Sequence, residues 1–436
     1  MFTYKREIEE KYIVDVVVAG GGPAGVAAAV TASECGAKVL LLEKSQCLGG
    51  AATLAKVPAF MRFSDRVNFL SGGVGRKVFD TMYGKEISDQ IIEYSIDTEK
   101  LKVCYDNMIL DSGVKVLFES CVIDVEQQKG NVKYCIVKGK EEIYAVSAKI
   151  FIDATGDGFL AVKAGADCLK GDDEGHMMPG TLCSFWGDID WSRAKVELGK
   201  DPDNRKLKEA FEDGVFSVKD PSLPGMWRLE GHYGGGNIGH VFGVDGTNEE
   251  SITNGIIEAR RRMKEYELYY RKYLEGYENA RVLSTADCLG IRETRRIVCE
   301  YMASNDDYFS HATFEDEIGR YAYPMDIHSH SIGSKSKSKY GNVYEKGYEV
   351  GKSYGISYRS LLPKNTKNVL VCGRCIGAER EISGSLRVMP CCYITGMAAG
   401  AAAAIAIVHQ YNLREIPNKI LQNKLLELGA YLPNVK

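Results

Sequence analysis

By its longest apolar run the chain is not expected to cross a bilayer. A span needs about 20 consecutive apolar residues. The longest stretch here, Ile394 to Val408, is shorter and rich in alanine and glycine. A basic start followed by an apolar segment is also missing. The chain opens MFTYKREIEEKYIV, so no secretory leader is expected. Nor is basic charge in excess: 55 Lys and Arg face 59 Asp and Glu, a net charge of -4. A nucleic-acid footprint is usually strongly basic. Neither nucleic acid nor membrane is therefore expected as a partner. The 13 cysteines are odd in number and scattered, which fits reduced thiols in the cytoplasm rather than a disulfide framework.

What is present is an ordinary folding composition, 45% hydrophobic and 26% charged over 436 residues. At about 150 residues per domain, that length suggests two or three domains. Near the N-terminus, Val14 to Ala19 is branched and apolar, as a buried parallel strand should be. Gly20, Gly22 and Gly25 follow as G-x-G-x-x-G, and Pro23 to Ser33 reads as a helix with proline in its first turn. Lys38 to Leu42 is a second strand, with Glu43 at its end. That order of strand, glycine turn, helix, strand and acid is the dinucleotide fingerprint. Gly20 permits the tight turn, Gly22 lets a pyrophosphate reach the backbone, and Gly25 allows close helix packing. Pro23 and Ala24 open a helix whose free N–H groups favour phosphate. Glu43 suits ribose hydroxyls.

The fingerprint alone leaves FAD and NAD open. Glu43-Lys44 leads to Leu48-Gly49-Gly50-Ala51-Ala52-Thr53, an E-K-x-x-x-L-G-G-x-x-T run. Short alternating strands follow at Val116–Glu119, Cys121–Gln127, Val132–Lys138 and Ile143–Ser147, and then a strand that runs into Ala154-Thr155-Gly156-Asp157. Near the C-terminus, Asn368 to Val371 enters Cys372-Gly373-Arg374. Arg387-Val388-Met389-Pro390 then opens an alanine-rich helix to His409.

These segments resemble the FAD-dependent oxidoreductases of the fumarate-reductase-like and glutathione-reductase-like type. The resemblance covers 12–75, 112–170 and 365–412. It implies an α/β fold: a Rossmann-type FAD-binding domain, with a parallel sheet and a β-meander, interrupted by an inserted α+β substrate domain. The division expected is 1–75, 112–185 and 365–436 for the FAD domain, and 76–111 and 186–364 for the substrate domain. The resemblance places Gly49, Gly50 and Ala51 beside the flavin, Val122 near the adenine, and Ala154, Thr155 and Gly156 near the pyrophosphate. Gly373 and Arg374 would form the cofactor turn, where many relatives have Gly-Asp. Arg387, Met389 and the helix start would lie at the ring edge that carries negative charge on reduction.

Three constellations stand out in the middle. Gly290-Ile291-Arg292-Glu293-Thr294-Arg295-Arg296 is similar to a G-x-R-E-x-R-R segment of the family. Arg292 or Arg295 could clamp a carboxylate or a developing enolate. The same residues could equally form an Arg–Glu network between domains. Tyr323-Pro324-Met325-Asp326-Ile327-His328 also recurs in the family, and Asp326 beside His328 would be a tunable acid/base. With His330 it spells D-x-H-x-H, but no metal is expected. Gly234 to Gly239 before His240 reads as a flexible loop. The run Glu258 to Arg262 reads as a solvent-facing part of a helix from Thr253 to Glu275. Ser334 to Lys339 reads as a solvated loop.

Cys372-Gly373-Arg374-Cys375 is C-x-x-C, which opens an alternative: a dithiol–disulfide flavin oxidoreductase. A flavin-binding role in nucleic-acid modification is a second alternative. The main expectation is an FAD-dependent oxidoreductase that transfers a hydride between a small-molecule substrate and flavin N5. Arg292, Asp326 and His328 would make its substrate and proton contacts. With no second G-x-G-x-x-G after a strand, an NAD(P)H domain is not expected, and the electron donor or acceptor is open.

Overall fold

The computed structural model describes residues 2–3, 5–85, 93–194, 204–223, 225–333 and 348–435. Ser334 to Lys339 lies outside the described residues. A seven-stranded sheet organises the larger core. Its order is Lys115–Leu117, Val39–Leu42, Glu10–Ala19, Ile143–Asp153, Asn131–Lys138 and Cys121–Gln128, with Val369–Val371 on the far half of Ile143–Asp153. Glu10–Ala19 is parallel to both neighbours, which buries Val16, Val17 and Val18 completely. This is why that strand reads as a continuous apolar run.

Ile143–Asp153 is one strand of 11 residues, where the sequence suggests two pieces. Its first half closes the antiparallel meander, and its second half pairs in parallel with Val369–Val371. The change of partner sits near Ser147 to Lys149, the polar interruption in the sequence. Asn368 ties the halves by donating to the Val132 and Lys149 carbonyls.

Two helices of small residues cross the back of the sheet. Pro23–Glu34 and Met389–His409 touch backbone to backbone. A Cβ at Gly396 would lie 2.2 Å from the Ala24 carbonyl, and one at Gly400 would lie 2.3 Å from that of Ala28. Met389–His409 is long and apolar enough to span a membrane, with a mean hydropathy of 1.9, but 89% of that window is buried inside the protein. Its composition answers the need of a helix buried on all sides.

A second sheet, in the order Gly225–Arg228, Gly234–Asn237, Ser184–Gly187 and Arg281–Thr285, is built from the middle of the chain. Helix Glu249–Tyr273 packs Tyr266, Tyr269, Tyr270 and Tyr273 into its core with Trp186 and Tyr277. The helix is capped by Asn248, which accepts from Ser251 N–H, and carries Glu249 and Glu250 in its first turn.

Three expectations need correction. The glycine run 234–237 is a buried inner strand, not a loop. A Cβ at Gly235 would sit 2.4 Å from Pro58 Cβ, and one at Gly234 would sit 2.6 Å from Ile189 Cδ1, so neighbours fill the space. Arg262 in the Glu258–Arg262 run points inward, 5% exposed, and donates to the His240 carbonyl at 2.8 Å. The described residues of 76–111 belong to the larger core, with Ser95 donating to the Arg228 carbonyl of the second sheet at 2.7 Å. Val78, Phe79, Leu101 and Tyr105 share the larger core, and Tyr105 hydrogen-bonds Tyr393 of the C-terminal helix. The strands Glu317–Tyr321 and Tyr354–Ser357 join that core too.

The helix contact is directly testable. Gly396→Val should destabilise the protein by about 1–3 kcal/mol through overpacking, read as a lower midpoint in chemical denaturation. An unchanged midpoint would show that the two helices can part there.

Candidate active site

Four parallel strands end level at one edge. Ala19 stands opposite both Leu42 and Asp153, and Asp153 stands opposite Val371. Crevices beyond the carboxyl ends of parallel strands are where α/β sheets bind ligands. The turns that follow these strands converge. Gly20, at φ +99, lies so close to Ala154 that a Cβ would be 2.6 Å from its carbonyl oxygen. A Cβ at Gly25 would be 1.8 Å from the Gly20 oxygen. Gly50 backs onto Gly22, and Gly373, at φ +74, onto Ala24. The loop of Gly49, at φ +104, is tied back by its N–H to the Gly21 carbonyl at 2.8 Å.

Gly22 is the exception among these glycines, because a Cβ there would meet nothing within 4 Å. It precedes a helix with no side-chain cap and no acid in its first turn. The result is an open, electropositive niche over free N–H groups, the shape a pyrophosphate needs. Glu43 is buried and accepts from Gly21 N–H at 2.7 Å and Ser45 N–H at 2.8 Å. A carboxylate has about four acceptor positions, so Glu43 can hold the loop and still receive ribose hydroxyls. Asp153, wholly buried, braces the opposite turn by accepting from Thr155 and from Ala161 N–H.

Val122 is buried in the meander opposite Val137, while Lys44 and Ala51 are exposed at the rim. Arg374 is committed elsewhere. It pairs with Asp157 and donates to the Ile291 carbonyl at 2.9 Å, with its guanidinium packed on Gly156. It straps the cofactor turn to the segment that carries Arg292.

Asp326 and His328 lie in a cluster of charged and titratable side chains. His328 Nε2 lies 3.1 Å from Asp326 Oδ1, and Arg387 Nη2 donates to Asp326 Oδ2 at 3.0 Å and to its carbonyl at 2.9 Å. His328 Nδ1 lies 2.9 Å from His240 Nε2, and His240 Nδ1 lies 3.0 Å from Asp220 Oδ2. Arg292 is 8% exposed and donates to Pro179 O at 2.7 Å and Thr181 Oγ1 at 2.9 Å. Burial opposes ionisation of Asp326, but the charges of Arg387 and Arg292 favour it and hold the carboxyl below its usual range. Burial and the charge of Arg292 push His328 down to about 4, against the pull of Asp326. Burial likewise lowers His240. Burial and the Arg387 charge push Arg292 down to about 10.

The helices connect the two halves of the site. Ala24 meets Gly396 and Ala28 meets Gly400, so the helices run the same way. Met389 therefore starts about 10 Å ahead of Ala24, at 1.5 Å per residue. Arg387 stands just before that start.

Comparison with known proteins agrees with this geometry. The profile of the FAD dependent oxidoreductase family matches residues 15–425. The chain belongs to that family. FAD is the cofactor of the family, and the Gly22 niche fits it. A digeranylgeranylglycerophospholipid reductase of Methanococcus aeolicus is 31% identical over 169 residues, 36% of this chain and 41% of that protein. The chain thus spans less than half the length of that reductase. A thiamine thiazole synthase of the same organism is 29% identical over 259 residues, 56% of this chain and 86% of that protein. Among solved structures, a geranylgeranyl bacteriochlorophyll reductase-like protein of Thermoplasma acidophilum aligns over 96% of this chain and 83% of its own. Its identity is 14% and its TM-score 0.46.

In this family member the structure brings the expected Arg292, Asp326 and His328 into one region and adds His240 and Asp220. His240 carried a weak signal, a lone histidine after a glycine run; Asp220 carried none. The arginine segment divides its labour. Arg295 and Arg296 donate to the Asp157 and Gly171 carbonyls, and Glu293 holds Arg380 at 2.9 Å and accepts from Met178 N–H at 2.6 Å. His330 does not join Asp326 and His328. It stacks on His176 with ring centroids 4.3 Å apart, beside Asp172. Cys372 and Cys375 are wholly buried, and burial with nearby Asp153 pushes both thiols far up. All 13 cysteines are free.

Gly22 separates fold from cofactor. Gly22→Val should leave stability of the cofactor-free protein within about 0.5 kcal/mol but abolish FAD retention, read as loss of the visible flavin band after purification. Retained flavin in the variant would refute the niche.

Proposed function

We propose that this protein is a dehydrogenase or reductase that passes a hydride between a small-molecule substrate and N5 of FAD. The observation that carries this reading is the ionised Asp326, held between His328 and Arg387 beside Arg292, ahead of the helix that meets the dinucleotide helix. FAD, held over Gly20 to Gly25, Glu43 and the Gly49-Gly50 turn, would supply the hydride-transferring ring position. The chain supplies charge and a proton site. Arg292 and Arg387 offer fixed positive charge to a substrate that carries or develops negative charge. His328, neutral before reaction, takes or returns the proton that accompanies the hydride.

Relatives named as reductases support this class, including a 76-residue segment 40% identical to the fumarate reductase (cytochrome) of Shewanella frigidimarina. The buried, high-pKa thiols of Cys372 and Cys375 favour it over dithiol chemistry, because thiolate is the reactive form. The same reading places the enzyme in the cytoplasm and draws electrons from substrate or a separate donor.

The test is an anaerobic absorbance titration of the holoenzyme against metabolite pools. Bleaching of the flavin band by one pool, and retained bleaching in Cys372→Ser/Cys375→Ser, is expected. Bleaching by dithiols alone would overturn the proposal. Once a substrate is in hand, Arg292→Met should lower kcat/KM by about 10- to 100-fold, the worth of one charged hydrogen bond.

A further inference from the structure

Asp220, His240, His328 and Asp326 form a chain of three links, of 3.0, 2.9 and 3.1 Å. Each neutral imidazole carries one N–H. Two imidazoles therefore fill two links, and in the third a bare ring nitrogen faces a carboxylate. Burial decides which link stays unfilled. The side chains of Asp220 and His240 are 3% and 4% exposed, whereas those of His328 and Asp326 are 16% and 25% exposed. Asp220 also accepts from Ser222 N–H at 2.9 Å and from the His240 backbone N–H at 3.3 Å, so the acceptor that an unfilled first link would strand is the buried His240 Nδ1, and a buried acceptor left unmet is costly. At the open end, water or substrate can serve, and Arg387 already satisfies Asp326 with a charged bond. The two protons therefore sit as His240 Nδ1–H on Asp220 and His328 Nδ1–H on His240. His328 Nε2 is left bare.

We propose that Asp220 and His240 are positioning residues that lock His328 in its Nδ1–H tautomer, so that Nε2 is the atom that exchanges the reaction's proton. The inference rests on the reading of this region as the reaction site. In the oxidative direction bound FAD would accept the hydride released as the substrate's C–H bond breaks. The neighbouring O–H or N–H bond breaks as well, and its electron pair forms the new C=O or C=N bond. The proton goes to Nε2 and fills the third link to Asp326, which stabilises the imidazolium. The reverse reaction returns it. The charged groups around the pair come from every side: Asp220, Asp326, Arg292, Arg387, and Arg262 on the His240 carbonyl. Burial and the charge of Arg292 disfavour the imidazolium until the proton arrives. This is the role of an orienting carboxylate in catalytic triads, here transmitted through a second histidine.

The test reads tautomers. The holoenzyme is labelled with 15N-histidine, and the His328 resonances are assigned by their loss in His328→Gln. In the resting enzyme His328 should show protonated Nδ1 and bare Nε2. In Asp220→Asn the amide can donate to His240, which should reverse both rings and leave His328 as Nε2–H. kcat should then fall about 10²- to 10⁴-fold, the usual weight of general acid–base catalysis, while KM stays within a few-fold. If Asp220→Asn does not fold, His240→Ala should give mixed His328 tautomers. An Nε2–H ring in the wild type, or an Nδ1–H ring that both variants leave unchanged, would overturn the proposal. The resonances do not depend on turnover, so this failure is distinct from a failure of the flavin titration.

Discussion

The contact on which the rest depends is the one between two helices from opposite ends of the chain. Pro23–Glu34 and Met389–His409 meet with no side chain between Gly396 and the Ala24 carbonyl. This closeness draws the last strand, Val369–Val371, onto Ile143–Asp153 and completes the edge where four strand ends lie level. It also sets the offset that carries Arg387 past the dinucleotide turn. A Cβ at either contact glycine would push the helices apart, and every distance in the site would change with them. Small residues here serve geometry more than propensity, because glycine within a helix costs about 1 kcal/mol relative to alanine.

The arginines show how a crowded positive segment stays folded. A buried charge left unpaired is far more costly than one that is hydrogen-bonded and balanced. Arg296 meets the Gly171 carbonyl and lies near Glu293, which also holds Arg380. Arg374 meets Asp157. Among the described residues no carboxylate forms an ion pair with Arg292, which rests on a carbonyl and a hydroxyl. Its compensating charges, Asp326 and Asp220, act from a distance. An arginine left this way in a region with two histidines is positioned to meet negative charge that arrives from outside.

Much of the larger core was legible in the sequence because its signals are local. A glycine triplet after an apolar strand, an acid at the next strand's end and a proline at a helix start each state their own geometry. The start of Met389–His409 came within one residue of the expectation for that reason. The failures share a different cause. Gly234–Asn237 is a strand only because Pro58, Ile189 and Met226 close around it, and no neighbour in sequence says so. Arg262 reads as solvent-facing until the His240 carbonyl is known to lie beneath it. Asp220 sits in an irregular segment and gains its role from a ring that the sequence places twenty residues away, across a strand pair.

That last gap also shows what joins distant parts of the chain at the site. His240 lies between Ile238, of the cluster around Trp186, and Val241, of a smaller cluster around Leu182, whereas Asp326 follows Met325 in the larger core. The link between His240 and His328 therefore joins the two bodies through a hydrogen bond between titratable rings. The cofactor niche is built from the turns at the sheet edge and does not draw on this link. The proposed proton site does, because it would take one ring from each side. Loss of the contact would thus leave the glycine turns in place while it separated the two rings on which the proposed tautomer depends.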